Sequence, residues 1–375
     1  MIVIHTSDWH LGKNRKYDDY LEQQRLMLSA IYKLIAQTIK ENPTEMVVFL
    51  MAGDLYDRNE DTDREEYALP LMHFFPKLDA LHSPNFIWYF IKGNHDNKPF
   101  DPCDPHASSS LLCPLEKLYP NNIASSKPKR FGDWLLVPFG GYKEQELKDL
   151  IAEYGHPPFI VAHECLNRIS TDVGWSPDEG KHVEIEHILD DKISAVFMGD
   201  IHRSQCLDAG RKCWYSGSPV TLDYGHKLPK GVLMHHFDDR VRSKEPYLVS
   251  LLDYEKDLRV HYQLGILEDP ENLPMDILTS RKSDYIQVVV TPEVYAEINK
   301  KIPDFFEAKT IAWEYPKTLL KGVSSAAIVE TESANNDDYY KPLICEWIKD
   351  NGEKLTQEER DECFTTIMED FKHKE

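Results

Sequence analysis

This chain has no paired cysteine motif, no long apolar run and no excess of positive charge. Its seven cysteines (Cys103, Cys113, Cys165, Cys206, Cys213, Cys345 and Cys363) are odd in number, scattered, and without CxxC spacing. That pattern argues against a zinc knuckle or a disulfide framework and for free thiols in a reducing compartment. The longest apolar runs, such as residues 46–52, are strand-length and far short of the ~20 residues of a membrane span. No basic region precedes the opening Met-Ile-Val-Ile-His-Thr-Ser-Asp, so a cytoplasmic protein without a signal peptide is expected. Lys and Arg number 43 against 64 Asp and Glu, for a net charge of −21. A surface of that sign does not coat nucleic acid by bulk attraction, because phosphate binding needs local positive charge. It leaves room for an enzyme that brings metal cations to a phosphate.

What is present is a repeated order of apolar strand, polar cluster and helix. The pattern predicts strands over residues 2–6, 46–52, 86–91, 134–137, 158–162 and 195–198, and helices over 17–40 and 63–81. Residues 99–130 read as surface loop with one short helix. This is an α/β layered core, with loops gathered at one end of the sheet. Composition shifts near residue 250. Beyond it, a strand over 285–290, a helix over 292–301 and a strand over 309–313 make a small α+β unit. The predicted organisation is a core over 1–250, a small capping unit over 251–322, a polar linker over 323–338 and a helical tail over 339–375. The tail carries two amphipathic helices, one with Tyr340, Leu343, Ile344, Trp347 and Ile348, the other with Cys363, Phe364, Ile367, Met368 and Phe371. Such short helices need a surface to cover their apolar faces, either the core or a partner.

Five predicted strand ends carry polar clusters: Asp8 with His10, Asp54, Asn94 with His95, His163, and Asp200 with His202. Singly, each has an ordinary explanation. Asp8 or Asp54 could cap a helix, His163 could be a core histidine, and Asn94 could be a turn residue. Together, in an order that brings strand ends to one edge, they build a pocket of carboxylate, imidazole and amide suited to divalent metals such as Mn, Fe or Zn. Seven candidate ligands are too many for one ion, so a binuclear site is expected, with Asp54 in mid-array as the natural bridge.

The succession resembles the calcineurin-like metallophosphoesterase superfamily. It is similar in particular to the SbcD-type nuclease subunits of double-strand-break processing complexes, phage versions included. The resemblance rests on Thr6-Ser-Asp-Trp-His-Leu-Gly12, Ala52-Gly-Asp-Leu-Tyr-Asp57, Gly93-Asn-His-Asp96 and Tyr215-Ser-Gly-Ser-Pro219. It implies a β-sandwich flanked by helices and a nuclease cutting DNA with two metal ions, Mn²⁺ first and Mg²⁺ second. It also implies an SbcC-type coiled-coil ATPase partner bound by the tail, a homodimer, and the cytoplasm of a bacterium or phage-infected cell. Asp8, His10 and His202 would hold one ion, Asn94, His163 and Asp200 the other, and Asp54 both. That assignment leaves His95 without a metal, as the candidate catalytic side chain, with Asp96 either orienting it or capping the loop. One residue departs from the pattern: the family has Gly-His-x-His where this chain has Gly199-Asp200-Ile201-His202. A carboxylate there keeps an oxygen ligand and favours harder ions, or leaves the second ion loosely held. Rival expectations are a phosphoesterase acting on phosphoproteins or small phosphodiesters, and a catalytically weakened scaffold for the ATPase. Lys13, Arg15, Lys16, Arg203, Arg211 and Lys212 stand near the motifs as candidate contacts to a DNA backbone. No base-reading motif is visible, so binding directed at backbone and ends is expected.

Overall fold

The computed structural model describes residues 1–15, 19–57, 64–81, 83–96, 110–140, 142, 144–172, 188–222, 226, 229–279, 284–303, 305 and 311–314. Strand β1 (Ile2–Thr6) is followed by helix α1 (Tyr20–Glu41) and β2 (Val47–Ala52). Helices α2 (Arg64–His73) and α3 (Phe75–Asp79) lead to β3 (Phe86–Ile91), α4 (Cys113–Leu118), β4 (Ile123–Ala124) and β5 (Lys129–Phe131). Then come β6 (Trp134–Val137), α5 (Glu144–Glu153), β7 (Phe159–His163), β8 (Ala195–Gly199), β9 (Gln205–Cys206) and β10 (Cys213–Tyr215). A hairpin of β11 (Val232–Asp238) and β12 (Val241–Val249) follows.

These strands form two six-stranded sheets, ordered β12-β11-β1-β2-β3-β4 and β5-β6-β7-β8-β10-β9. Val3, Val48, Leu50, Ile91, Leu136, Phe159, Val161 and Phe197 meet between the sheets. The alternate residues Ile2, Ile4, Phe49 and Phe90 face outward, onto Met27, Leu28, Ile31 and Leu34 of α1. Leu147 and Ile151 of α5 cover the outer face of the second sheet. Period-two strands thus bury both faces, and the period-3.6 stripe of α1 supplies one cover. Each buried Leu, Ile or Met contributes roughly 1.5–3 kcal/mol relative to exposure. The expected β-sandwich flanked by helices is the observed architecture.

Two features differ from the sequence pattern. The helix expected over 63–81 is two helices, broken at Phe74 (φ −121, ψ −64). Pro70 lies inside α2 and Pro76 in the first turn of α3, and neither has an N–H to continue the ladder. The hairpin β11-β12 is absent from the sequence pattern above; β11 opens on apolar Val232-Leu-Met, but its edge partner is mostly polar, with Lys244 and Pro246. Such residues protect a sheet edge and blur its alternation.

Beyond the hairpin, β13 (His261–Leu267), α6 (Met275–Leu278), β14 (Tyr285–Val290), α7 (Pro292–Lys301) and β15 (Ile311–Glu314) form a small α+β unit with sheet order β13-β14-β15. Contacts group Met1–Trp313 as one compact unit. The expected linker and tail helices lie outside the described residues. Among the described residues, no helix is long and apolar enough to cross a membrane, and Cys113, Cys165, Cys206 and Cys213 are free thiols.

Candidate metal centre

Strands β1, β2 and β3 run parallel, as do β6, β7, β8 and β10. Their C-terminal ends therefore share an edge, and each polar cluster follows directly from such an end. The two sheets are joined at this edge by His163, whose Nδ1 lies 2.7 Å from the carbonyl oxygen of Ala52. The approach demands glycine at two motif positions. A Cβ on Gly199 would lie 1.9 Å from Ala52 O, and one on Gly93 would lie 2.0 Å from Asp54 Oδ1.

The first cluster is split by its tryptophan. Trp9, 1% exposed, turns into the core against Phe74 (5.3 Å between ring centroids) and Phe90 (5.8 Å), while its indole N–H donates to Thr6 Oγ1. That anchor leaves Asp8 and His10 for the site. Asp8, His10, Asp54 and Asp200 all have positive φ (54, 46, 59 and 96). Left-handed backbone at non-glycine residues is costly and concentrates at functional sites.

Asp54 stands in the middle. Its Oδ2 is 3.6 Å from His10 Nε2 and its Oδ1 is 3.4 Å from His163 Nε2. On the His10 side, His202 Nε2 lies 3.0 Å from His10 Nε2, and Asp8 completes a group whose ligand atoms lie within 4.8 Å of one another. On the other side, Asn94 Oδ1 is 3.0 Å and Asp200 Oδ1 3.7 Å from His163 Nε2. The seven residues singled out as ligands thus come together around Asp54; Asp8 also lies within 4.8 Å of Asp54 and His163, and Asp57 and His95 make a further such group with His10. His95, the eighth, sits at the exposed rim. Its N–H donates to Asp54 Oδ1, and its Nδ1 lies 2.6 Å from the carbonyl oxygen of Asp57. A carbonyl only accepts, so Nδ1 carries the proton and Nε2 is the atom left to exchange one.

Burial pushes Asp8 up to about 6, against the pull of His163. Burial likewise raises Asp200. It would raise Asp54 too, but the charge and hydrogen bond of His163 hold Asp54 below the usual carboxylate range. Burial would lower His163, yet Asp54 beside it holds it well above the usual imidazole range. Burial and the charge of His10 hold His202 well below it. Carboxylates crowded enough to raise one another's pKa need positive charge among them, and imidazole, amide and carboxylate donors suit borderline to hard divalent cations. The residue set fits a two-ion centre.

Other residues contribute beyond the seven ligand candidates and His95. Asp57 places Oδ1 3.2 Å from His10 Nδ1; its place three after Asp54 was its only signal. Among the described residues, the Asp96 carboxylate makes no contact with the His95 ring. That carboxylate accepts from the N–H groups of Asp54, Leu55, Tyr56 and Gly93, a loop cap, and burial with the Asp54 charge pushes it up to about 6. Ser216 Oγ is 2.7 Å from Ser7 Oγ, and the Ser218 N–H donates to the carbonyl of His202, which gives Tyr215-Ser-Gly-Ser-Pro219 its place. His226 and Lys230 also touch His202, through its ring and its carbonyl. Among the candidate basic contacts, Arg15 is paired with Glu66 and Arg211 with Glu245; Arg203 donates to Ser170 Oγ and Lys212 to the Asp190 carbonyl. Lys13 borders a cavity beside His10, and Lys16 lies outside the described residues.

Comparison with known proteins agrees with this geometry. The family model described as calcineurin-like phosphoesterase matches residues 1–208. The chain is similar to the D subunit of the nuclease SbcCD of Escherichia coli, at 24% identity over 358 residues, covering 84% of this chain and 79% of that one. It is also similar to an uncharacterized protein of Acanthamoeba polyphaga mimivirus, at 26% identity over 243 residues, covering 60% of this chain and 16% of that protein. With more than half its length matched and the strand-end clusters converging as described, the chain belongs to the calcineurin-like phosphoesterase family.

Proposed function

We propose that this chain is a metal-dependent DNA nuclease of the SbcD type. It hydrolyses phosphodiesters at DNA ends in repair and recombination, together with an SbcC-type coiled-coil ATPase. The observation that carries this reading is the division of Asp54 between His10 and His163, at 3.6 and 3.4 Å from its two oxygens. A carboxylate so divided is a bridge, and two bridged cations suit in-line displacement at phosphorus.

Asp8, His10, His202 and Asp54 hold one ion in this reading; Asp54, Asn94, His163 and Asp200 hold the other. Mn²⁺ is the first candidate and Mg²⁺ the second, because oxygen ligands outnumber imidazoles around His163. Bound there, two such ions supply the charge that polarises a phosphoryl oxygen and lowers the pKa of water to about 7. The protein supplies orientation and proton transfer. Asp57 fixes the His95 tautomer through its carbonyl and braces His10 through its carboxylate. Protonated at both ring nitrogens, His95 would present an Nε2–H at the rim, where that proton passes to the departing sugar oxygen or offsets the charge gathering at phosphorus. The helical tail over 339–375 is assigned to the ATPase, and the small unit over 251–322 to capping the DNA.

The test is an end-labelled linear duplex incubated with the chain and Mn²⁺ or Mg²⁺, with and without the ATPase. Metal-dependent release of label is expected, and the ATPase should increase it. No cleavage of DNA, alongside turnover of p-nitrophenyl phosphate esters, would place the substrate among small phosphoesters instead. Co-purification of the ATPase with a chain ending near residue 330 would remove the docking role of the tail.

A further inference from the structure

We propose that Ser216 is a positioning residue for Asp8, acting through the hydroxyl of Ser7 to hold that carboxylate at the angle the first cation needs. The inference rests on the metal-centre reading above. A ligating carboxylate is oriented by the donors at its oxygens, each of which keeps a further lone pair for the ion. Asp8 has a donor at each oxygen. Its Oδ2 accepts the Ser7 hydroxyl, and its Oδ1 accepts the Asp200 N–H at 3.2 Å. A hydroxyl carries one hydrogen, and that of Ser7 is committed to Asp8. The 2.7 Å contact between Ser7 Oγ and Ser216 Oγ therefore takes its hydrogen from Ser216. The Gly217 carbonyl, 3.5 Å from Ser7 Oγ and 3.3 Å from Ser216 Oγ, is the more distant acceptor for both. Donation thus runs from Ser216 to Ser7 to Asp8 and ends on a carboxylate. Ser216 is 1% exposed and the other two are fully buried, so solvent does not stand in for either hydroxyl.

Ser216 is itself held on both sides. The hydroxyl of Tyr215, fully buried, donates to the Glu164 carbonyl at 2.6 Å and accepts the Leu166 N–H at 3.1 Å. The Ser218 N–H donates to the His202 carbonyl at 3.2 Å. Between them Gly217 has a φ of 74, and a Cβ there would lie 2.7 Å from that same carbonyl oxygen. Residues 215–218 thus touch the turns that follow β1, β7 and β8, which carry Asp8, the segment after His163, and His202. Tyr215 and Ser218 reach backbone groups in those turns. Ser216 reaches, through Ser7, the side chain of a proposed ligand.

The experiment is calorimetric titration of the full chain with MnCl₂, with bound metal counted by elemental analysis, for wild type, Ser7→Ala, Ser216→Ala and the double variant. Each single change removes one oxygen atom. The wild type should bind two ions. Ser7→Ala should weaken one of them by about 10- to 100-fold, the usual cost of losing an outer partner of a ligand, and leave the other unchanged. Ser216→Ala should weaken the same ion by about fivefold, the equivalent of one neutral hydrogen bond. The double variant should bind as Ser7→Ala does, because Ser216 then has nothing to act through. A residue that merely supports the fold would not show that dependence. Three outcomes overturn the proposal: wild-type affinity in Ser216→Ala, both ions weakening together, or the two losses multiplying in the double variant. A wild type that binds fewer than two ions overturns the metal-centre reading first, and this inference with it.

Discussion

Asp96 Oδ2 accepts the backbone N–H of Asp54 at 3.1 Å. The same carboxylate takes the N–H groups of Leu55, Tyr56 and Gly93, so one side chain caps the turn that carries the proposed bridge and ties it to the turn that carries Asn94. Hydrogen bonds to a charged acceptor are worth about 1.5–3 kcal/mol each, and unpaired buried N–H groups add a penalty. Asp96→Ala should therefore cost about 3 kcal/mol or more in urea unfolding and lower metal occupancy as the Asp54 turn loosens. Asp96→Asn, which keeps one acceptor oxygen, should lose less. Wild-type stability and metal content in Asp96→Ala would show that the cap is dispensable.

His95 is predicted to separate chemistry from metal binding. Its imidazole is exposed and held by the Asp57 carbonyl, while only its backbone N–H reaches Asp54. His95→Ala leaves that N–H in place. Cleavage should fall by about 10²- to 10⁴-fold, the usual range for losing a positioned proton donor, and elemental analysis should still find the wild-type metal content. Loss of metal, or full activity, would contradict this division of labour.

How much of this was legible in the sequence differs from residue to residue. Asp8, His10, Asp54, Asn94, His163, Asp200 and His202 could be read because each follows an apolar strand, and parallel strands deliver their ends to one edge. The break at Phe74 was foreseeable from Pro70 and Pro76, yet the apolar spacing on either side continued past them. His226 could not be read. It follows no strand, and only the return of the chain past β10 brings it to His202. Asp96 was visible as a polar residue, but its four donors come from turns far apart in sequence, so its capping role appears only in three dimensions.

The inner face of the sandwich holds a pair of histidines with a consequence for acid stability. His5 and His235 are fully buried, with ring centroids 5.6 Å apart, and both pack edge-on against Phe197. Arg242 donates to His235 Nδ1, and His235 Nε2 has no hydrogen-bond partner among the described residues. Burial lowers His5 from 6.5 to about 3, and burial together with His5 and Arg242 holds His235 well below the usual range. Above pH 6.5 both rings are neutral whether the chain is folded or unfolded, and they add no pH dependence. Below 6.5 the unfolded chain takes up protons that the folded chain refuses, so stability falls with pH, by about 1.4 kcal/mol per pH unit for each ring. A His5→Leu, His235→Phe double variant should show a shallower loss of unfolding free energy between pH 6.5 and pH 5. Parallel curves for variant and wild type would mean that these rings are protonated in the fold.

Asp200 is where this chain parts from the Gly-His-x-His pattern of the proteins it resembles, and its surroundings say what the difference does. Its Oδ1 lies 3.7 Å from His163 Nε2, and its N–H donates to Asp8 Oδ1 at 3.2 Å. The side chain thus belongs with Asp54 and His163, while its backbone is held by Asp8, a proposed ligand of the first ion. A second carboxylate beside Asp54 makes that set harder and more negative than one with imidazole. The φ of 96 is a conformation that Asn, Asp and His enter more readily than other side chains, so Asp200→His should be accommodated. In competition titrations, Asp200→His should shift the second ion's preference from Mg²⁺ and Mn²⁺ toward Zn²⁺ or Co²⁺ by about tenfold or more. Asp200→Ala should lose the second ion and keep the first, because Asp8, His10, His202 and Asp54 are untouched. If both variants keep the wild-type stoichiometry and preference, Asp200 is not a ligand, and the second ion must be held by Asp54, Asn94 and His163 alone.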